Sequence, residues 1–326
     1  MSIPPLSPKT TLQGRSLLIT GANSGLGFES ARLALRLGAS PVYITARTVE
    51  KGNVTRDELL ADSEVKKKNP NAIVQVYALE MSKWDGVTSF AKKFLDDRQI
   101  AGEGLDIGIL NAGLLSIAFG LAPTGNEMTI QVNHLSTALL ALLLLPLLER
   151  STTPEHTARL TIVSSSTHLD AGLKHCPPDN LKYLASLNDE KTFSGSLARY
   201  GLSKLLIILF LRELSQKVSS DKVVINDVCP GMIKTQLLRS IPWWFVPAMW
   251  VWQAATANPV ERGAGCYMNA VANVGKESHG LWYHKMKQTP YSDVVTGSES
   301  KVLQDRIWNE TMEQLRRVSP SIDQTI

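Results

Sequence analysis

The chain has 326 residues, of which 44% are hydrophobic and 20% charged, with a formal net charge of +4. These are globular values in a chain long enough to bury a core, and they exclude disordered and collagen-like classes. The charge is spread along the sequence. Its clear basic runs, Lys66-Lys67-Lys68 and Arg316-Arg317, read as solvated helix ends, so no nucleic-acid partner is expected.

Cys176, Cys229 and Cys266 lie far apart with no Cys-x-x-Cys. Neither a metal site nor a disulfide framework is expected, and the usage fits a reducing compartment. Met1 to Arg15 holds prolines and polar residues without an apolar stretch. It reads as neither signal peptide nor anchor, and a cytoplasmic protein is expected.

Ser16 to Thr20 (SLLIT) reads as a buried parallel strand, ending in the turn Thr20-Gly21-Ala22-Asn23-Ser24-Gly25-Leu26-Gly27. Phe28 to Leu37 has helical spacing and stops at Gly38. Strands follow at Val42 to Thr45 and Ile73 to Leu79, around a polar helix at Asp57 to Lys68. Trp84 to Leu95 is helical, and Ile107 to Leu110 is a strand entering Asn111-Ala112-Gly113. Leu135 to Leu148 (LSTALLALLLLPLL) is shorter than the roughly 20 residues of a membrane span and apolar all round. It therefore reads as a core or subunit-interface helix. Leu160 to Val163 is a strand running into Ser164-Ser165-Ser166, Leu202 to Val218 a long helix, and Val223 to Val228 a strand closed by Pro230-Gly231.

This alternation predicts an α/β fold: a Rossmann-like, doubly wound parallel sheet with helices on both faces, in three α/β/α layers. Ligands of such sheets bind outside the carboxyl ends of the strands. The glycine turn, the Asn-Ala-Gly, the serine run and the Pro-Gly all sit at such ends. Residues 1–326 read as one domain, with a segment around 236–260 covering a substrate and a helical C-terminal extension.

Gly21, Gly25 and Gly27 follow a strand and open a helix. Glycines allow a tight turn and close backbone approach to a pyrophosphate resting on the helix N-terminus. At the second strand end stands Ala46-Arg47 with no acid. An acid there would bond the ribose hydroxyl, whereas arginine suits a 2′-phosphate, so NADP is favoured over NAD. Tyr200 and Lys204 are four residues apart, on one helix face. An ammonium beside the phenol lowers a pKa that is ordinarily about 10 and makes it usable in acid–base chemistry. Asn133 reads as a cap or a water holder, Ser165 as a donor to a substrate oxygen or a turn residue. His168 reads as a packed or loop histidine rather than a base.

Together these residues resemble the short-chain dehydrogenase/reductase superfamily, classical type, over roughly Leu12 to Leu315. Within it the chain is most similar to the retinol-dehydrogenase-like branch and its fungal relatives. The residues carrying that likeness are Ile44-Thr45-Ala46-Arg47, Ser164-Ser165-Ser166-Thr167-His168 and Leu303-Gln304-Asp305-Arg306-Ile307-Trp308. The resemblance implies that Tyr200 is general acid in reduction and base in oxidation. Lys204 lowers its pKa and binds the nicotinamide ribose, Ser165 orients the substrate oxygen (with Ser164 and Ser166 as alternatives), and Asn133 holds a relay water. Asn23, Ser24 and Leu26 line the cofactor turn with its glycines. Pro230, Gly231, Ile233 and Thr235 face the nicotinamide, Ile233 and Thr235 bonding its amide. Glu80 and Met81 stand where the family contacts adenine with an Asp and an aliphatic residue. Leu110 replaces the first asparagine of the usual Asn-Asn-Ala-Gly.

Residues from about Asp170 to Gly195 form an insertion relative to compact members. Ile241 to Trp252 (IPWWFVPAMWVW) reads as an apolar lid, with membrane contact as the rival. The function expected is NADP(H)-dependent interconversion of a ketone or aldehyde and an alcohol on a lipophilic natural-product intermediate. The alternatives are a non-redox isomerase, cyclase or dehydratase, a peripherally membrane-bound lipid dehydrogenase, and a nucleotide sensor. A homodimer or homotetramer is expected, the competing arrangement being a monomer whose C-terminal segment covers the pairing faces.

Overall fold

The computed structural model describes residues 2–171, 182–233, 258–298 and 300–325. Cys176, Thr235, the Ile241 to Trp252 segment and the middle of the expected insertion lie outside the described residues.

Eight strands form one sheet: β1 (Leu17–Ile19), β2 (Val42–Ala46), β3 (Val74–Ala78), β4 (Ile107–Leu110), β5 (Ala158–Val163), β6 (Val223–Cys229), β7 (Trp282–His284) and β8 (Lys287–Thr289), in the order β3-β2-β1-β4-β5-β6-β7-β8. All neighbours pair parallel except β7 and β8, which are antiparallel. β1 pairs with both β2 and β4, Leu17 meeting Val42 on one side and Ile107 on the other. Strand order reverses there, which is where such sheets hold their ligands.

Alternate strand residues serve opposite layers. Leu17, Ile19, Val42, Ile44, Ile107 and Ile109 share a core with Ala31, Ala34 and Leu35 of helix α1 (Gly25–Arg36) and with Tyr267 and Met268 of the Val260–Met268 helix. Leu18, Tyr43, Leu110, Leu160 and Ile162 belong to the other core. It contains Phe90 and Phe94 of the Trp84–Ala101 helix, the apolar helix, and Phe210 and Leu214 of the Ser196–Lys217 helix. The fold is the expected three-layer α/β/α arrangement.

Several boundaries differ from expectation, for local reasons. The polar helix starts earlier, at Val49, because Thr48 accepts the Lys51 N–H as its cap. It then breaks at Asp62, whose carboxylate accepts from Val65 N to start a second helix, Ser63–Lys68. The apolar helix is longer than its hydrophobic run, spanning Met128–Ser151 with a π-turn at Gln131–Ser136. By length and composition it passes for a membrane span, yet 89% of its apolar window is buried inside the protein. The C-terminal helix Ser300–Val318 lies across it and the Ser196–Lys217 helix: Trp308 stacks on Phe210 with ring centroids 4.9 Å apart, and His134 Nε2 meets Thr311 Oγ1 at 2.9 Å.

Candidate active site

The β1–α1 turn is built for close approach. Gly21 has φ +66 and its N–H donates to Thr45 Oγ1 at 3.0 Å, tying the turn to β2. A Cβ on Gly27 would stand 2.4 Å from Gly21 O and 2.7 Å from Asn111 Nδ2. Asn111 closes the turn from β4, donating to Thr20 O at 2.8 Å and accepting from Tyr267 OH at 2.9 Å. Asn23 and Ser24 are exposed, and Ser24, the α1 N-cap, makes no side-chain cap bond. The first N–H groups of α1 therefore keep their capacity for an anion. Leu26 is half-buried and directed at Gly263. Arg47 is exposed at the end of β2. A cradle that a side chain would fill, an uncapped helix N-terminus and an arginine fit a dinucleotide phosphate.

The proton-handling candidates meet beside it. The Ser196–Lys217 helix starts well before the expected Leu202 and carries Tyr200 and Lys204 on its face. Gly201 brings it against the short turn after β5, since a Cβ there would lie 2.7 Å from Thr167 O. Ser165, in that turn, lies beside the Tyr200 side chain and accepts from Thr167 Oγ1 at 3.0 Å. Lys204 Nζ lies 5.7 Å from the Tyr200 ring centroid and donates to Val163 O at 2.8 Å. A Cβ on Gly113 would be 3.1 Å from Asn133 Oδ1 and 3.6 Å from Lys204 Nζ, which locates all three at one point.

Asn133 sits on the π-turn. Its Oδ1 accepts from Leu114 N at 2.9 Å, and its Nδ2 donates to Leu114 O at 2.8 Å and Ser203 Oγ at 2.9 Å. One side-chain donor thus pins the β4 exit, and the other ties it to the helix of Tyr200 and Lys204 at Ser203. Single π-turns within α-helices recur at functional sites.

Burial is the largest influence on the charge of both members of the Tyr–Lys pair. Burial pushes the Tyr200 phenol above its ordinary value, Cys229 adds to this, and the Ser165 hydroxyl opposes it. Burial pulls Lys204 down to about 8, opposed by Cys229 and Asp227. The Lys204 ammonium, 5.7 Å from the Tyr200 ring centroid, is directed at the Val163 carbonyl.

Other expected contacts divide. Pro230 is buried, Gly231 adopts φ +75, and Ile233 packs against Gly263. Ala112 N donates to Thr20 Oγ1 at 2.9 Å, holding the Asn-Ala-Gly beside the glycine turn. Glu80 is occupied by Ser82, accepting from its N–H at 3.0 Å and its hydroxyl at 2.9 Å. Met81 is buried in the core and its carbonyl accepts from Ser136 Oγ at 2.6 Å. Ser164 is buried and Ser166 donates its N–H to Cys229 Sγ at 3.2 Å, which leaves Ser165 as the serine on Tyr200. His168 is buried with Nδ1 2.7 Å from Ser165 O, so it braces the serine turn. Sequence reasoning missed Tyr267, Ser203, Cys229 and Asp227. No local motif marks them; tertiary packing brings them in.

The short chain dehydrogenase family model matches residues 15–175. A short chain dehydrogenase of Arthrobotrys oligospora is 36% identical over 98% of this chain and 97% of its own length. A short-chain dehydrogenase/reductase of Talaromyces stipitatus is 34% identical over 97% and 95%. The chain is also similar in fold to the RhlG/NADP complex of Pseudomonas aeruginosa (TM-score 0.66, 23% identity, 86% of this chain and 97% of that one). A carbonyl reductase from chicken fatty liver, solved with NADPH bound, matches with TM-score 0.62 at 19% identity over 86% of this chain and all of its own. With relatives of this identity along nearly its whole length, the chain belongs to the short-chain dehydrogenase/reductase family, among its fungal members.

Proposed function

We propose that the protein is an NADP(H)-dependent oxidoreductase that interconverts a ketone or aldehyde and an alcohol on a lipophilic small molecule. The observation carrying this reading is the meeting of Ser165, Tyr200, Lys204 and Asn133 next to the β1–α1 turn. When bound there, the nicotinamide supplies the hydride chemistry. Ser165 orients the substrate oxygen, and Tyr200 gives that oxygen a proton in reduction or takes one in oxidation. Lys204 holds positive charge beside the site, and Asn133 fixes the Gly113–Leu114 backbone against it. Gly21, Asn23, Ser24, Gly25, Leu26 and Gly27 take the pyrophosphate, Arg47 the 2′-phosphate, and Asn111, Ala112, Gly113, Pro230, Gly231 and Ile233 the rest of the cofactor.

The lipophilic substrate is supported by an apolar rim. Ile117, Leu121 and Leu197 are 51%, 50% and 65% exposed. Ser196 Oγ donates to Ile117 O at 2.8 Å, joining that loop to the helix of Tyr200. Phe119 and Phe193 meet edge to face with centroids 6.2 Å apart. Fungal relatives support a natural-product intermediate as the substrate, and burial of the one long apolar helix among the described residues supports a cytoplasmic enzyme. The C-terminal helix over the Met128–Ser151 and Ser196–Lys217 helices supports the monomer. Residues 1–326 act as one unit in this reading.

Cofactor consumption against a panel of apolar ketones and aldehydes tests it. Turnover with NADPH at a kcat/KM well above that with NADH is expected. Equal use of both cofactors would remove the role given to Arg47, and product formed with no change in NADPH would replace redox chemistry by isomerisation or dehydration.

A further inference from the structure

Lys204 is buried, and a buried ammonium needs a counter-charge to keep its proton. Its Nζ is fixed at Val163 O, 2.8 Å away, at the end of β5. Val163 pairs with Val228 on β6. The residues flanking Val228, Asp227 and Cys229, share one face of that strand. Both are buried, Asp227 completely. Cys229 belongs to the core formed with Leu205, Leu206 and Leu209, the turn of helix that follows Lys204. The strand register therefore sets a carboxyl behind the ammonium, one strand away.

That carboxyl is held by its own support. Tyr291 OH donates to Asp227 Oδ1 at 2.5 Å, and the Arg212 guanidinium carbon lies 5.6 Å from the centroid of the same tyrosine ring. Ser164, buried at the end of β5, stands beside the carboxyl without a hydrogen bond to it. His168 lies alongside, its ring 6.2 Å from Tyr291 and 4.6 Å from Trp282. Among the described residues, the titratable and charged groups facing Asp227 are thus Lys204 and Arg212 from the long helix, Cys229 from its own strand, His284 from β7 (its imidazole pulled down by burial), Tyr291 from the loop after β8 and His168 from the serine turn. Burial pushes the Cys229 thiol up, so it stays neutral near pH 7, and burial pulls the His168 imidazole down toward its neutral form. Asp227 is the one carboxylate in the group.

We propose that Asp227 is a positioning residue for the reaction: its buried carboxylate, oriented by Tyr291, keeps Lys204 charged and so sets the upper pH limit of proton transfer at Tyr200. The inference rests on the Tyr200–Lys204 reading above. Its sign follows from the charges. The Lys204 ammonium, with its pKa lowered to about 8, is lost as pH rises, and Asp227 opposes that loss. The carboxyl itself is raised to about 7, so it is ionised where Lys204 titrates. Neutralising it lets Lys204 lose its proton at lower pH.

The test is the pH profile of kcat/KM, with the pH dependence of NADPH affinity by fluorescence as a readout independent of turnover. Asp227→Asn should move the alkaline limb of both down by about one pH unit. Tyr291→Phe, which removes the donor to the carboxylate, should move it the same way by less. The double variant should match Asp227→Asn, because both act through one group. Should Asp227→Asn not fold, Tyr291→Phe alone decides. An activity loss equal at every pH, with the limb unmoved, would reduce Asp227 to a structural role and overturn the inference. Tyr200→Phe separates the two levels: full activity there removes the underlying reading, whereas abolished activity with an unmoved limb in Asp227→Asn removes only this one.

Discussion

Gly27→Ala sets two local effects against each other. Gly27 is within α1, and alanine is the better helix former by about 1 kcal/mol, so propensity alone predicts a more stable protein. The contacts predict the reverse. The added carbon would stand 2.4 Å from Gly21 O, 2.7 Å from Asn111 Nδ2 and 3.1 Å from Ala22 Cα. Two of these are backbone atoms, and the third belongs to an amide already donating to Thr20 O at 2.8 Å. Nothing nearby is a free chain end that can swing aside. Overpacking of this kind costs about 1–3 kcal/mol, and displacing the Asn111 amide adds about 1 kcal/mol for its hydrogen bond. The net expectation is destabilisation by about 1–3 kcal/mol, obtained by subtracting the propensity gain. The turn must also open where the pyrophosphate is proposed to lie, so NADPH affinity should fall at least about 10-fold, equivalent to about 1.4 kcal/mol. Urea unfolding at constant m-value gives the first quantity and NADPH fluorescence titration the second. A variant that is more stable and binds NADPH as the parent does would refute the reasoning about this turn.

Trp308→Ala should destabilise by about 3–5 kcal/mol, because the indole is buried and stacked on Phe210 at 4.9 Å; denaturant unfolding checks it, and a loss near zero would contradict the account of the C-terminal helix. That helix also predicts a monomer by light scattering, against a dimer or tetramer if the faces it covers were available. Asp62 is held below the usual carboxylate range first by its Arg36 hydrogen bond (Nη2–Oδ2 2.6 Å), with Val65 N also contributing. Its charge therefore stabilises the fold above about pH 4 and ceases to do so as pH falls through its lowered value. Asp62→Asn should cost about 1–2 kcal/mol at pH 7, with parent and variant converging once pH falls below the lowered value of the carboxyl; a penalty independent of pH would assign the effect to packing.

The layers of the fold were readable because buried parallel strands are short apolar runs ending in Gly, Asn or Ser, and the helices between them have apolar spacing. The strand-end clusters likewise located Gly21, Asn111, Ser165 and Gly231 in one region. The start of the Tyr200 helix was missed because Ser196 to Arg199 carries no apolar stripe. It is held from outside, Arg199 donating to Leu187 O at 2.8 Å and Thr192 O at 3.0 Å. The antiparallel end of the sheet was missed because β7 and β8 have three residues each, too few for a periodicity. Four-residue spacing brings the Tyr200 and Lys204 side chains near one another without fixing where the ammonium points; in the structure it donates to the Val163 carbonyl. Asp227 and Tyr291 are 64 positions apart, and only the pairing of β5 with β6 brings the former behind Lys204.

The most direct test of the central claim compares the parent with Tyr200→Phe, measuring NADPH binding by fluorescence and NADPH oxidation on an apolar carbonyl substrate in the same preparations. The account predicts binding within about twofold and turnover lowered at least about 10²-fold, the scale of removing a general acid. Oxidation of NADPH by the variant at the parental rate would contradict it, since the proton would then come from a group other than Tyr200.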